Sequence, residues 1–461
     1  MIVASGLPAT RRRPASDPGV GSDWLAELLA SNSSTAYLRS HGRPLTLDAF
    51  RTQVPLCDYE SLTPWLRRIS DGESDILFHG RPCAYERTGG SAGGSKLIPY
   101  SAAGIVEFRR AVSPWLAATL ARHAVTGTVY FSISPVARTA ERIGDVPVGL
   151  PDAAYLDEAT CPVLMTRSAV PLSVSAIADV ATWRQETRRH LSSASALELI
   201  SVWSPTFLLS LLEDHERIAA AWPRLKVISC WADGSSRPYA AELAARFPGV
   251  AIEPKGLIST EAVVTVPNDH GVPELVANGF FEFLSEEHAF LAHELEPGRE
   301  YEVVVTTASG LYRYRSGDAV CCRGYAASGR PILGFVGRSG LFCDLVGEKL
   351  SESFVATALA FLPGFSLLLP HARKRAYVLV REHDTSPEDL ARLDAALCHN
   401  PQYAYARKLA QLSPPNFLRV PRAWAIYERT LLTRGARPGD IKPTALRPEP
   451  FWLDVFEREC P

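Results

Sequence analysis

Hydrophobic and polar positions change period several times along this chain. Residues 23–40, DWLAELLASNSSTAYLRS, place apolar residues at helical spacing behind an Asp suited to a helix start, and RTQVPLCDYESLTPWLRRI continues as a turn and a further helix. Short runs rich in β-branched and aromatic residues, GTVYFSIS (127–134), LKVISCW (225–231) and EYEVVVTT (300–307), read as strands. Helical stretches at 201–221 and 238–247 lie among them. Strands alternating with helices over the first 300 residues predict α/β sheets. From about residue 279 the texture shifts: GFFEFLS, EYEVVVTTASGLYRYRSGD and PILGFVGRSG are strands joined by short glycine-containing turns, which predicts an antiparallel sheet or small barrel. Beyond a boundary near Ser339–Asp344, a strand at 375–380, a helix at 386–398, a helix from 402 and a strand at 416–421 predict a small α+β domain. The expected architecture is α/β. It has a flexible tail over 1–22, a large N-terminal domain over 23–340 with helix-flanked sheets and a small β-barrel-like subdomain, and a small C-terminal α+β domain over 341–461.

Composition narrows the partners. The 461 residues exceed what one hydrophobic core organises. A net charge of -2, with 21% charged residues, offers no basic footprint for nucleic acid and favours small or neutral partners. The nine cysteines are scattered and never form C-x-x-C, the usage of a reduced, cytoplasmic chain. Apolar stretches such as LISVWSPTFLLSLL are interrupted and fall short of the ~20 residues that span a bilayer, so no membrane segment is expected. No apolar core precedes the Arg11–Arg13 run, so no secretory signal is expected either. Nothing in the sequence fixes an oligomeric state, and a monomer suffices.

Only seven of the 48 basic residues are lysine: 96, 226, 255, 349, 374, 408 and 442. Where arginine serves almost every positive charge, a retained lysine points to a position that needs a compact ammonium.

The stretch ERTGGSAGGSKLIPY, residues 86–100, is the first candidate for chemistry. A Walker-type loop requires Ser or Thr after its lysine, and Leu97 stands there. Gly89-Gly90-Ser91-Ala92-Gly93 matches the G-x-S-x-G nucleophile elbow, which would make Ser91 a hydrolase nucleophile. An elbow needs an apolar helix directly after the serine, and more small residues, a lysine and LIPY follow instead. The remaining reading is an anion-binding loop. Backbone N–H groups of Gly89, Gly90, Ala92, Gly93 and Gly94 would wrap a polyphosphate, the hydroxyls of Thr88 and Ser91 would donate further bonds, and Lys96 would add charge. Three later motifs fit that reading. KGLISTEAVV (255–264) sets the hydroxyls of Ser259 and Thr260 before Glu261, a carboxylate able to hold Mg²⁺ beside phosphates. LYRYRSGD (311–318) reads as a turn presenting Asp318 to vicinal hydroxyls such as those of a ribose. FVGR (335–338) places Arg338 just before the boundary. Phe131, Trp203 and Trp231 are candidates for an apolar acid pocket, or are ordinary core aromatics.

These ordered motifs, together with VPLCDYESLTPWLRRISDGESDILF, YFSISPVART, VGLPDAAYL and DLVGEKLSE, resemble the Gretchen Hagen auxin-responsive family of acyl-acid amido synthetases, a branch of the adenylate-forming superfamily. The resemblance runs from about residue 23 to 353 and fits a bacterial-type member. It implies a two-step ligase: a carboxylic acid attacks the α-phosphate of ATP to give an acyl-adenylate and pyrophosphate, then an amine, usually an amino acid, displaces AMP to form an amide. By the same resemblance, Thr88 to Lys96 would cover the β- and γ-phosphates, Thr260 would contact the α-phosphate, Glu261 would ligate Mg²⁺ and Asp318 would bind the ribose. Arg315 and Arg338 would support nucleotide and hinge. Lys442, in GARPGDIKPTAL, would reach the adenylation site, and the C-terminal domain would swing about 338–344 between half-reactions. The chain departs from the family in three places. Its loop keeps hydroxyls only at Thr88 and Ser91 of Thr88–Ala92, Leu257 replaces an aromatic common in plant members, and KPTAL lacks the Pro-Arg expected after the late lysine. A Ser91 hydrolase and a non-catalytic nucleotide-binding relative are the alternatives.

Overall fold

A computed structural model of the chain describes residues 21–459, apart from 89–95, 132–140, 151, 159, 178, 213–220, 339–341, 347, 410 and 437. Strands Thr128–Phe131, Leu197–Ser201, Val227–Cys230 and Ala251–Pro254 form a parallel sheet in chain order. Both middle strands are buried throughout, so LELIS and VISC read as nearly unbroken apolar runs instead of alternating ones. Helices Val180–Ser193, Pro205–Leu212 and Arg237–Arg246 join the strands. The helix expected from residue 201 starts only at Pro205, whose fixed φ suits a first helical turn, because Ser201 still belongs to the strand.

A seven-stranded antiparallel sheet follows, ordered His288–Leu291, Phe280–Ser285, Glu300–Thr306, Tyr314–Tyr325, Pro331–Arg338, Pro273–Leu275 and Thr265–Pro267. Along Tyr314–Tyr325 buried positions alternate with more open ones, the signature of a sheet with one face on the core. The register against Glu300–Thr306 shifts between Glu302 and Val304, and Gly317 takes φ +75 beside that irregularity. Asp318, expected on a turn, lies inside a strand, on the same buried face as Tyr314 and Ser316.

Among the described residues the C-terminal part builds a three-stranded sheet of Ser366–His371, Ala376–Arg381 and Asn416–Arg419 with five α-helices, from Glu352–Leu359 to Phe451–Arg458. Buried clusters divide along the same line: those of the N-terminal part involve residues from Leu25 to Leu333, those of the C-terminal part from Cys343 to Phe456. Polar contacts between described residues of the two parts include Ser235 Oγ donating to the Pro443 carbonyl at 2.7 Å and Arg184 pairing with Glu428 at 3.4 Å. At Gly337 the backbone passes so close to the helix starting at Glu352 that an added Cβ would stand 2.9 Å from Glu352 Oε2. The expected boundary at 340/341 falls outside the described residues. No described helix is long and apolar enough to cross a membrane, and every described cysteine is free.

Candidate active site

The glycine loop joins two strands of an antiparallel hairpin, Ala84–Arg87 and Leu97–Tyr100. Its ends are tied: Thr88 N–H donates to the Lys96 carbonyl at 2.9 Å, and Lys96 N–H donates to Thr88 Oγ1 at 3.1 Å. Gly89, Gly90, Ser91, Ala92, Gly93 and Gly94 lie outside the described residues. A strand follows the loop, so the strand–turn–helix of a nucleophile elbow is not what surrounds Ser91.

From the loop's end, Lys96 Nζ donates to Tyr314 Oη at 3.0 Å and lies over the rings of Tyr59 and Tyr314, 5.6 and 5.7 Å from their centroids. Tyr59 stands in VPLCDYESLTPWLRRISDGESDILF and Tyr314 in LYRYRSGD, but the sequence assigns neither a role. Tyr314 is visible only in retrospect, as the first inward residue of the strand that bears Asp318.

The 255–264 motif is a tight reversal after the last parallel strand. Ile258 bridges Val263, Ser259 N–H donates to the Ala262 carbonyl, and Ala262 N–H donates to Ser259 Oγ. Gly256 makes the approach possible at φ +79, where a Cβ would stand 2.5 Å from the Thr265 carbonyl oxygen. Thr260 and Glu261 sit at the tip, steadied by Tyr100 Oη donating to the Thr260 carbonyl at 2.6 Å. Ser259 thus spends its hydroxyl on the turn itself.

Glu261 is buried, and no side chain among the described residues donates to its carboxylate. Burial raises its pKa, and the neighbouring Asp318 raises it further, against the pull of Arg338 and Lys96. Asp318 pairs with Arg338 across the two strands, Arg338 Nε lying 3.4 Å from Oδ1. Lys442 reaches the same point from the C-terminal part. Its residue is largely exposed, but its ammonium lies 4.0 Å from the centroid of the Trp231 ring. Crowding by protein lowers its pKa, with Asp318 opposing and Arg338 adding to the shift. The backbone beside it is fixed by Ser235 on Pro443 and by Glu352, which accepts from Ala445 N–H at 3.0 Å.

Lys96, Glu261, Asp318, Arg338 and Lys442 are thus electrostatic neighbours, drawn from segments nearly 350 residues apart. Arg315 does not join them. It forks onto Glu302 at 3.0 and 2.7 Å, about half exposed, because it alternates with Tyr314 and Ser316 along the strand. A small cavity of ≈ 20 Å³ beneath Thr260 and Glu261 is lined by Tyr100, Glu107 and Ser309 among others, where burial pushes the Glu107 carboxyl up to about 8. A larger cleft of ≈ 800 Å³ lies away from this chemistry, between helices Val180–Ser193 and Ala423–Thr433. Two carboxylates facing three cations form a surface able to take a divalent cation and a polyphosphate together. Among the described residues no ready-made cluster of metal ligands exists, so phosphate oxygens would complete any metal shell.

Residues 18–213 match the model of the GH3 family N-terminal domain, and residues 274–338 that of the GH3 family central domain, together more than half of the chain. A putative indole-3-acetic acid-amido synthetase, GH3.10 of Oryza sativa subsp. japonica, is 25% identical over 394 residues, covering 73% of this chain and 81% of its own length. The solved structure of AtGH3.15 acyl acid amido synthetase in complex with 2,4-DB superposes with a TM-score of 0.82 at 18% identity, over 95% of this chain and 93% of that one. A 2-hydroxyisobutyryl-CoA ligase in the postadenylation state shares the fold more distantly, with a TM-score of 0.56 at 12% identity over 99% of this chain and 96% of that one. Lys96 lies in the first matched segment and Asp318 and Arg338 in the second, and the chain belongs to the GH3 family of adenylate-forming acyl-acid amido synthetases.

Proposed function

We propose that this protein activates a small carboxylic acid with ATP and Mg²⁺ and passes the acyl group to an amine, the α-amino group of an amino acid, releasing pyrophosphate and AMP. The observation that carries the reading is the convergence of Lys96, Glu261, Asp318, Arg338 and Lys442 on one point. In the first half-reaction a carboxylate oxygen bonds to the α-phosphorus and the bond to pyrophosphate breaks. Both partners are anions, so the barrier falls only if positive charge is in place beforehand.

Lys96 and the loop from Thr88 hold the outer phosphates, and Tyr59 and Tyr314 keep the ammonium from swinging away. Thr260 offers its hydroxyl to the α-phosphate. Asp318 accepts from the ribose hydroxyls, and Arg338 orients it. Lys442 stabilises charge on the oxygens of the reacting acyl-phosphate. Glu261 fits a metal ligand, since its buried carboxylate lacks a donor and is destabilised by Asp318. Mg²⁺ held there supplies charge neutralisation to the phosphates. In the second half-reaction the amine nitrogen attacks the acyl carbon, the bond to AMP breaks, and the amine loses a proton to solvent. We place a swing of the C-terminal part about 338–344 between the two steps, which withdraws Lys442 and opens room for the amine.

The test is a panel of carboxylic acids screened for acid-dependent pyrophosphate and AMP release, followed by mass analysis with mixed amino acids. An amide whose formation requires ATP supports the reading. Absence of acid-dependent AMP release across the panel, in a chain that binds ATP, leaves a nucleotide-binding protein instead.

A further inference from the structure

Lys255 is buried at 3% exposure, yet no carboxylate among the described residues lies within ion-pair distance of it. Its ammonium has three donors and one hydrogen-bond partner, Ser201 Oγ at 2.6 Å. It lies between two indoles, 4.9 Å from the centroid of Trp115 and 5.0 Å from that of Trp203. Glu253, two residues earlier, is taken up by Thr119, Arg122 and His123. Beside Lys255, the buried Trp115 Nε1 has no acceptor among the described residues. Ammonium and indole N–H can only donate. Buried donors without partners cost free energy, and the missing partner here must be an acceptor.

Their place in the fold says which acceptor. Ser201, Trp203, Trp231 and Lys255 all stand at or just beyond the carboxyl ends of the parallel strands, the edge where open α/β sheets bind ligands. The Trp203 and Trp231 rings are 5.8 Å apart and both half-buried, and Lys442 covers the outer face of the pair at Trp231. Two tryptophans therefore separate the ammonium that serves the reacting carboxyl from a second ammonium deep in the sheet.

We propose that Lys255 and Trp115 form the far end of the acyl-substrate site. The acid then carries a second oxygen function, a ring hydroxyl or a second carboxylate, remote from the carboxyl that is adenylated. Its body lies against Trp203 and Trp231, and the remote oxygen accepts from Lys255 Nζ and Trp115 Nε1. This rests on the ligase reading above. A site built to bond such an oxygen rejects the analogue that lacks it.

The experiment compares matched acids on the full chain: benzoate with 4-hydroxybenzoate, cinnamate with 4-hydroxycinnamate, and hexanoate with hexanedioate. Binding is read by tryptophan fluorescence without ATP, and turnover by pyrophosphate release. The oxygenated member of at least one pair should bind about tenfold tighter or more. Lys255→Met should bring that ratio to within about threefold of one, and Trp115→Phe, which keeps a ring and loses the N–H, should reduce it partway. Equal binding within every pair, or a ratio that survives both substitutions, overturns the proposal. Should Lys255→Met fail to fold, Trp115→Phe and Ser201→Ala carry the same comparison. Turnover that ignores the remote oxygen sinks the subsite and leaves the ligase standing. A binding preference without turnover of any acid does the reverse.

Discussion

Asp318 and Arg338 are register partners on adjacent antiparallel strands, their side chains 3.4 Å apart at the last residue before the link to the C-terminal part. A nucleotide gripped by this pair would be fixed at the point about which the proposed swing of the C-terminal part turns. Asp318→Asn keeps the shape and removes the charge. The ATP concentration needed for half-maximal pyrophosphate release should rise by about tenfold or more, the scale of a charge-assisted hydrogen bond. An unchanged ATP requirement removes the ribose role.

Lys442 is the only cation of the cluster supplied by the C-terminal part, so its loss should divide the two half-reactions. Lys442→Ala should slow acid-dependent pyrophosphate release by about 10²–10³, as for loss of one charge-stabilising donor. Amide formation from a supplied acyl-adenylate should keep most of its rate. Equal damage to both steps would show that Lys442 maintains the fold and takes no part in the first step.

The pH profile of the first half-reaction should be narrowed from both sides. Lys442 must be protonated, and its lowered pKa brings the alkaline limb below the ordinary lysine range near 10.4. Glu261 must be ionised to take Mg²⁺, and its raised pKa in the metal-free site means that Mg²⁺ binding should weaken with falling pH from above the ordinary glutamate range near 4.3. Lys442→Arg replaces the titrating group with one that stays charged, so whatever rate remains should lose its alkaline limb while the acid limb stays put. An alkaline limb that persists in this variant belongs to another group.

The order of strands and helices was legible because burial on both faces of the parallel sheet leaves continuous apolar runs, and burial on one face of the antiparallel sheet leaves alternation. The site was legible where a motif is local. Lys96, Glu261 and Asp318 each announce themselves within ten residues, and four of the seven scarce lysines, 96, 255, 349 and 442, stand in or beside motifs. What the sequence hid is set by direction. Arg315 and Asp318 sit three apart in one motif, and the strand's alternation sends one to Glu302 and the other to Arg338. The tyrosine clamp on Lys96 and the tryptophan under Lys442 are long-range pairings, and no spacing along the chain encodes them.

That difference in direction can be measured. Arg315→Ala breaks an ion pair whose arginine is about half exposed, so stability should change by no more than about 1 kcal/mol and the ATP requirement by less than about threefold. A rise in the ATP requirement comparable to that of Asp318→Asn would restore the nucleotide role that the resemblance assigns to Arg315.

Glu253 anchors the last parallel strand to the helix Ala102–Arg122, and through it the Lys255–Glu261 segment. It accepts from Thr119 at 2.7 Å and His123 at 2.9 Å and pairs with Arg122. Burial alone would raise its pKa, but His123, Thr119 and Arg122 outweigh that and hold it at about 2. A folded pKa below the unfolded one makes stability rise with pH across the interval between them. The contribution is therefore fully present above the unfolded value near 4.3 and is lost as the pH falls toward 2. Glu253→Gln leaves Arg122 without its counter-charge and should cost about 3 kcal/mol at neutral pH, within the range for breaking a buried pair. Urea unfolding at pH 7 and again near pH 2.5 provides the check. The gap between the two proteins should shrink at the lower pH, and a gap of constant size would mean that Glu253 acts by packing and not by charge.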